Sequence, residues 1–434
     1  MIDRRLFFVI VAICVVATVV VCTKSTPKGC SNLELQPKQE VRLLKLNELI
    51  DNEMSDLKQT QRFDRDIEKF MRRWEFTGVS FALMRNDSLI YAKGYGYADK
   101  ERGEECDVKH RFRIASVSKL ITATAIMKLV EEGRLSLGAQ VFGENGIFSD
   151  SIYLDLRSRH HEKITVEHLL RHTSGFSESR GDPGFANYMV ARVLDKELPL
   201  TIDDIVLYAT KTNIISAPGG RYDYSNMGYM ILGEIVERVS GVSYESYVRD
   251  SIMAPIGCYD IYIGKNYSRD RASNEVKYYE VKEAEPVEAY DGTGRMTMKS
   301  DGGNNVTLLG GAGGWVSSSV ELLRFVASID DKALYNTILT DETIRVMTDT
   351  RRNKHPIGWA SVSKRDWLRS GSMAGTSALI KRQSDGYTWV FLVNNSAWIG
   401  PNITRYISSS ISSAIAKVSD WPQRDMFQIA TAEE

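Results

Sequence analysis

Cysteine is scarce where a scaffold would need it. Of five cysteines, Cys14, Cys22 and Cys30 lie in or beside an N-terminal apolar segment, and only Cys106 and Cys258 belong to the main body. That distribution excludes a thiol-rich framework and a zinc-finger spacing. It leaves two readings of Cys106 and Cys258: a disulfide, permitted outside the cytoplasm, or two buried thiols. An excess of either charge is also missing. In 434 residues, 55 lysines and arginines face 56 aspartates and glutamates, a formal charge of -1. Nucleic-acid binding usually needs a concentrated basic surface, so no such partner is expected. The six histidines lack metal-ligand spacing, and neither His355 nor the His160-His161 pair sits in a cluster. The glycines of "GGNNVTLLGGAGG" come without the lysine-serine ending of a phosphate loop and without a dinucleotide fingerprint. No repeat or low-complexity domain breaks the chain.

Only one long hydrophobic run is present. After Arg4 and Arg5, Leu6 to Cys22 is an almost unbroken apolar stretch of 17 residues. A spanning helix takes about 20 residues; a signal-peptide core takes roughly 7 to 15. Residues 1–22 are therefore read as a signal peptide or a membrane anchor. Cys22 stands where a lipoprotein cysteine would, although Val21 before it departs from the small residue expected there. Cleavage would release an exported domain into the periplasm or cell envelope, and retention or lipidation would attach it to the membrane.

A polar tether over 23–45 comes next, then one catalytic unit over 46–420, then a tail over 421–434. From Asn47 to Trp74 the pattern is helical, with Leu57, Phe63, Ile67, Phe70 and Met71 on one face. "GVSFALMRN" and "SLIYAKGYGY" read as strands joined by a turn at Asn86-Asp87. Helices are expected from 116 to 132, after caps at Thr165 and Thr201, after the turn in "GRYDYSN", from Tyr244 to Met253, and after Ser318 or Ser319. "HPIGWASVS", "TSALIKRQ" and "YTWVFLVNN" read as strands, and a last helix runs from about residue 401 to Val418. Helix, sheet, helices, sheet, helix is an α/β (α+β) order. It predicts an antiparallel sheet built from both chain halves, flanked by helices, around a mostly helical second lobe at about 120–310.

The chemistry begins at "FRIASVSKLITATAIMKLVEEG". Alone, the serines at the mouth of this helix are helix caps. Residues three apart share a helical face, so Ser116 and Lys119 can meet while Ser118 points elsewhere. A serine hydroxyl needs a nearby base to become a nucleophile. A desolvated lysine at a helix N-terminus can serve, because both burial and the helix dipole disfavour its charged form.

The constellation around it resembles the penicillin-recognising serine hydrolases: class C β-lactamases, serine D-alanyl-D-alanine carboxypeptidases and related esterases or D-aminopeptidases. The resemblance runs from about residue 55 to 415. Ser116-Val117-Ser118-Lys119 matches the S-x-x-K element, Tyr224-Ser225-Asn226 matches the Y-S-N element, and "LLRHTSG" and "GAGGWVSSSVELLRF" look like two further family segments. It implies a β-lactamase/transpeptidase-like fold with Ser116 acylated, Lys119 its hydrogen-bonded partner and Tyr224 the general base. Between Tyr224 and Lys119 the base assignment stays shared, since their protons are coupled. Asn226 would hold Lys119 and contact a substrate amide. Arg369-Ser370-Gly371 stands where relatives carry lysine or histidine, then threonine or serine, then glycine. On this resemblance Arg369 clamps a substrate carboxylate, Gly371 lets substrate approach the strand, and the N–H groups of Ser372 and Ser116 form the oxyanion hole. His172 would support the site without taking part in it.

These residues imply an exported serine hydrolase acting on a peptide amide, small ester or other acyl compound, with no cofactor and no metal required. The arginine in the third element argues against efficient β-lactam hydrolysis. The alternative is a catalytically silent envelope binding or scaffold protein that retains the fold.

Overall fold

β1 (Gly78–Arg85) and β2 (Ser88–Asp99) form the hairpin anticipated at Asn86-Asp87. Both turn residues take positive φ, 47° and 64°, the mirror-image turn whose twist matches that of paired strands. The computed structural model describes residues 45–178, 181–330, 337–351 and 355–431. The apolar run 6–22 and, except for Lys45, the 23–45 tether lie outside the described residues. Among the described residues, no helix is long and apolar enough to cross a membrane.

β3 (Glu104–Glu105) extends the hairpin edge, and the C-terminal part adds β4 (Ser361–Val362), β5 (Asp366–Met373), β6 (Thr376–Gln383) and β7 (Tyr387–Val393). The seven strands run antiparallel in the order β3-β2-β1-β7-β6-β5-β4. β1 meets β7 at the centre, Val79 opposite Val393 and Phe81 opposite Phe391, so both chain halves share one sheet. Around it lie α1 (Gln61–Trp74), α2 (Ser118–Glu131), α3 (Asn226–Ser240), α4 (Val306–Gly313), α5 (Ser319–Ala327) and α6 (Ile403–Ala416).

Strand alternation sends side chains to two different cores. Val79, Phe81 and Leu83 of β1 join Phe63 and Ile67 of α1 and Ile403, Ile407 and Ile411 of α6 on one face. Ala82 and Met84 face the other core, which contains Leu120 and Ile121 of α2 and Ile231 and Ile235 of α3. α2, α3 and α4 pack on one another in the helical lobe and carry most of the site. The mixed helix and antiparallel-sheet architecture is the one expected.

Three local expectations need correction. The helix read from Asn47 to Trp74 is interrupted: Leu46–Leu49 makes a single helical turn and the long helix starts only at Gln61, because Asn52 between them is taken by the sheet edge. Its Oδ1 accepts from Gly94 N at 2.7 Å and its Nδ2 donates to the Cys106 carbonyl at 3.1 Å, and such side-chain bonds compete with a helix. "HPIGWASVS" yields only the two-residue β4, since Gly358 turns the chain at φ +75°. Residues 421–427, read as a tail, are packed instead: Trp421, Met426 and Phe427 are buried, and Arg424 donates to the Met54 carbonyl at 2.7 Å. Of the two readings left open for Cys106 and Cys258, the thiols hold: among the described residues both are free and buried.

Glu321 is the acid on α5. Its Oε1 accepts from Tyr259 N at 2.8 Å and Asp260 N at 3.0 Å, while Oε2 has no partner among the described residues. Burial pushes its carboxyl from the ordinary 4.5 up to about 7, with the nearby Asp260 charge adding and the two N–H bonds opposing. A raised acid stabilises the fold below its unfolded value and loses that contribution as pH rises through the folded one. The melting temperature is therefore expected to fall between pH 5 and pH 8 in the parent, and less in Glu321→Gln. Equal pH dependence in thermal melts of the two proteins would refute this reading of Glu321.

Candidate active site

Ser116 lies in a 3₁₀ turn, Ala115–Val117, that runs straight into α2. Ala115 holds φ +46°, a left-handed backbone that its Cβ disfavours, and strain of this kind gathers where a chain must deliver a side chain to a site. Lys119 follows one turn later and is 0 % exposed. Its Nζ donates to Ser116 Oγ at 3.3 Å, to Asn226 Oδ1 at 2.5 Å and to the Ala312 carbonyl at the end of α4 at 2.6 Å. Three ammonium hydrogens thus meet three acceptors. Ser118 points into the core, where its Oγ accepts from Trp315 N at 3.2 Å.

The turn before α3 brings the second set of groups. Ser225 caps the helix by accepting from Gly228 N at 3.0 Å, which leaves Tyr224 just outside and Asn226 in the first turn. Tyr224 Oη donates to Ser116 Oγ at 2.8 Å, and Lys119 Nζ lies 4.9 Å from the Tyr224 ring centre. Burial works to raise the Tyr224 pKa. The Lys119 and Arg369 charges, with the polar contacts to Lys119 and Ser116, outweigh it, and the phenol ends below its usual value. Lys119 is lowered, chiefly by burial, against the pull of Tyr224. Each group thus titrates below its ordinary value, and the two protons are coupled.

His172 supports this arrangement. Its Nδ1 accepts from Ser225 N at 3.1 Å and its ring lies 4.6 Å from that of Tyr224. Burial, then the charges of Lys119, Arg369 and His355, push it well below the ordinary histidine value, so it stays neutral.

β5 closes the other side. A Cβ on Gly371 would lie 2.5 Å from the Ile114 carbonyl and 2.8 Å from Ser116 N. The glycine is thus needed for the nucleophile turn itself to approach the strand. Arg369 lines the same cleft as Ser116. It is 3 % exposed, Nε donates to the Ser116 carbonyl at 2.7 Å, and Nη2 is buried without a partner among the described residues. Nε is thus engaged by the nucleophile's backbone. Ser370, Gly371 and Ser372 line one cleft with Ser116, Tyr224 and Asn226, about 780 Å³ in volume. Its apolar walls include Phe185, Leu309, Trp359 and Met373.

Sequence reasoning missed two acids. Glu178 Oε1 accepts from Asn226 N at 2.7 Å, and Asp182 Oδ2 accepts from Asn226 Nδ2 at 2.5 Å. They lie more than forty positions before Asn226, and no spacing rule links them to it. The Ala312 carbonyl was missed too, since a backbone acceptor has no side-chain signature.

With this geometry in place, comparison with known proteins gives the class. The β-lactamase family model matches residues 63–407, and the chain belongs to that family. PbpX of Bacillus subtilis (strain 168) is 26% identical over 336 residues, 76% of this chain and 73% of that protein. Protein flp of Staphylococcus aureus (strain N315) is 26% identical over 228 residues, 52% of this chain, and the match spans only 42% of its length. Among solved structures, the D-amino acid amidase of Ochrobactrum anthropi SV3 superposes with a TM-score of 0.65 at 20% identity, covering 84% of this chain and 100% of that one. That likeness establishes the shared fold.

The Arg369 geometry yields a test. Arg369→Ala removes both the anchor on the Ser116 carbonyl and a charge that lowers Tyr224. Catalytic efficiency is expected to fall about tenfold or more, equally for carboxylate-bearing and neutral acyl substrates. A loss confined to carboxylate substrates, measured on matched pairs, would return Arg369 to substrate recognition.

Proposed function

We propose that this β-lactamase-family protein is a serine hydrolase that opens amides or esters through an acyl-enzyme on Ser116. The observation that carries the reading is Ser116 Oγ at the cleft, bonded at 2.8 Å to Tyr224 Oη and at 3.3 Å to a fully buried lysine. In this reading Tyr224, as phenolate beside the Lys119 ammonium, takes the Ser116 proton as Oγ adds to the carbonyl carbon. The Ser116 and Ser372 N–H groups receive the developing oxyanion. The tetrahedral adduct collapses, the C–N or C–O bond breaks, and Tyr224 returns the proton to the leaving group. Water then adds to the acyl carbon with Tyr224 again as base, and Ser116 is regenerated.

The cleft suits a small acyl compound with an apolar side group, given Phe185, Leu309, Trp359 and Met373 on its walls. Peptides or amides of D-amino acids are the favoured class, supported by the fold shared with the D-amino acid amidase. Export fits Arg4, Arg5 and the apolar run after them, which would place the domain in the periplasm or cell envelope.

Turnover of a panel of amino-acid amides and activated esters tests the proposal. Ser116→Ala is expected to lose at least about a thousandfold in turnover. Ser118→Ala keeps turnover within about tenfold but unpairs the Trp315 N–H, lowering stability by ~1–3 kcal/mol. Folded parent protein without turnover on any member would favour the silent scaffold instead.

A further inference from the structure

Asn226 is held from three directions, and the holders are unequal. Its Oδ1 faces Lys119 Nζ at 2.5 Å, its Nδ2 faces Asp182 Oδ2 at 2.5 Å, and its N–H faces Glu178 Oε1 at 2.7 Å. An amide side chain is nearly symmetric in shape, so its orientation is decided by its neighbours. Lysine offers only donors and an ionised carboxylate offers only acceptors. Turned over, the amide would set donor against donor at Lys119 and acceptor against acceptor at Asp182. Lys119 and Asp182 therefore specify one orientation between them, through a relay running from Asp182 across the amide to the lysine.

Asp182 is itself fixed. Its Oδ1 accepts from Gly184 N at 2.9 Å, and its carbonyl accepts from Phe185 N at 2.9 Å. The same segment thus grips Asn226 and places the Phe185 wall of the cleft. Glu178 holds the Asn226 main chain and leaves the side-chain amide free to rotate. Of the two acids, only Asp182 bears on the orientation that Lys119 reads.

We propose that Asp182 is a positioning residue for the site: its carboxylate keeps the Asn226 amide oxygen turned toward Lys119 and so maintains the lysine as an ammonium. This rests on the acyl-enzyme reading only for its catalytic consequence. Lys119 is 0 % exposed, so a lost acceptor cannot be replaced by bulk water. Without Asp182 only the ammonium itself holds the amide oxygen in place, so the amide is free to turn as the charge is given up, and the lysine sheds its proton at lower pH. Charge then disappears from beside Tyr224, whose phenolate depends on it.

The groups facing Lys119 are Tyr224, Tyr229, Arg369, His172, Glu178 and Asp182. Glu178, raised to about 7 by burial and by the Asp182 charge, titrates within any acid limb. The informative side is alkaline.

The test uses the full chain labelled with carbon-13 at lysine Cε, the Lys119 signal being the one missing in Lys119→Met. In Asp182→Ala the Lys119 transition is expected to move down by about one pH unit, a tenfold weaker hold on the proton. The alkaline limb of Ser116 acylation should move with it while KM changes less than about threefold. Should the alanine variant unfold, Asp182→Ser, whose short hydroxyl cannot reach the amide, carries the same expectation. An unmoved Lys119 transition in either variant overturns the proposal. A parent protein that never acylates Ser116 would remove the proposed function and leave the lysine measurement standing.

Discussion

A buried ammonium must be fully hydrogen-bonded or give up its charge, and that constraint at Lys119 organises the site. An isolated charge out of water costs several kcal/mol even after relaxation. Here the cost is offset by three acceptors drawn from three separate parts of the chain: Ser116 on the turn before α2, Asn226 at the start of α3, and the Ala312 carbonyl at the end of α4. Each must be placed to within a few tenths of an ångström for the lysine to remain charged. The mutual packing of α2, α3 and α4 supplies that precision from a rigid core.

The electrostatics stem from the same point. Tyr224 is buried, which alone would leave it a neutral phenol, yet Lys119 and Arg369 reverse the balance. The neutral His172 adds no third positive charge, and through its bond from Ser225 N it fixes the turn that presents Tyr224. Arg369 combines two tasks: its field acts on Tyr224, and its Nε ties the Ser116 carbonyl to β5. Gly371, two residues further along the strand, lets that turn lie against the sheet. Nucleophile, base and oxyanion donors thus share supports, and a change in one support is felt by all.

Much of this was legible in the sequence, and the reasons it was legible are local. Ser116 and Lys119 are three apart on one helix, and Tyr224 and Asn226 flank a helix cap; caps and helical faces are written in neighbouring residues. The hairpin at Asn86-Asp87 and the alternation in β1, β6 and β7 are likewise short-range patterns. What escaped was long-range or carried by backbone. The direction of the Arg369 fork depends on a carbonyl 253 residues away. Asp182 and Glu178 acquire meaning only when α3 is docked beside their segment. Asn52 looked helical until the edge of β2 claimed its side chain, and the packing of Trp421 against Phe63, with ring centres 5.3 Å apart, could not be read from a polar C-terminus.

The central claim is that a covalent bond forms at Ser116 Oγ and is then broken by water. Intact-protein mass spectrometry, with rapid quenching after mixing the protein and a turned-over ester or amide, addresses it directly. The account requires a transient mass increase equal to the acyl group, located by peptide mapping on the segment containing Ser116, and decaying at a rate no slower than turnover. Product formed at full rate with no adduct at any time point, or an adduct mapped to another residue, would contradict it.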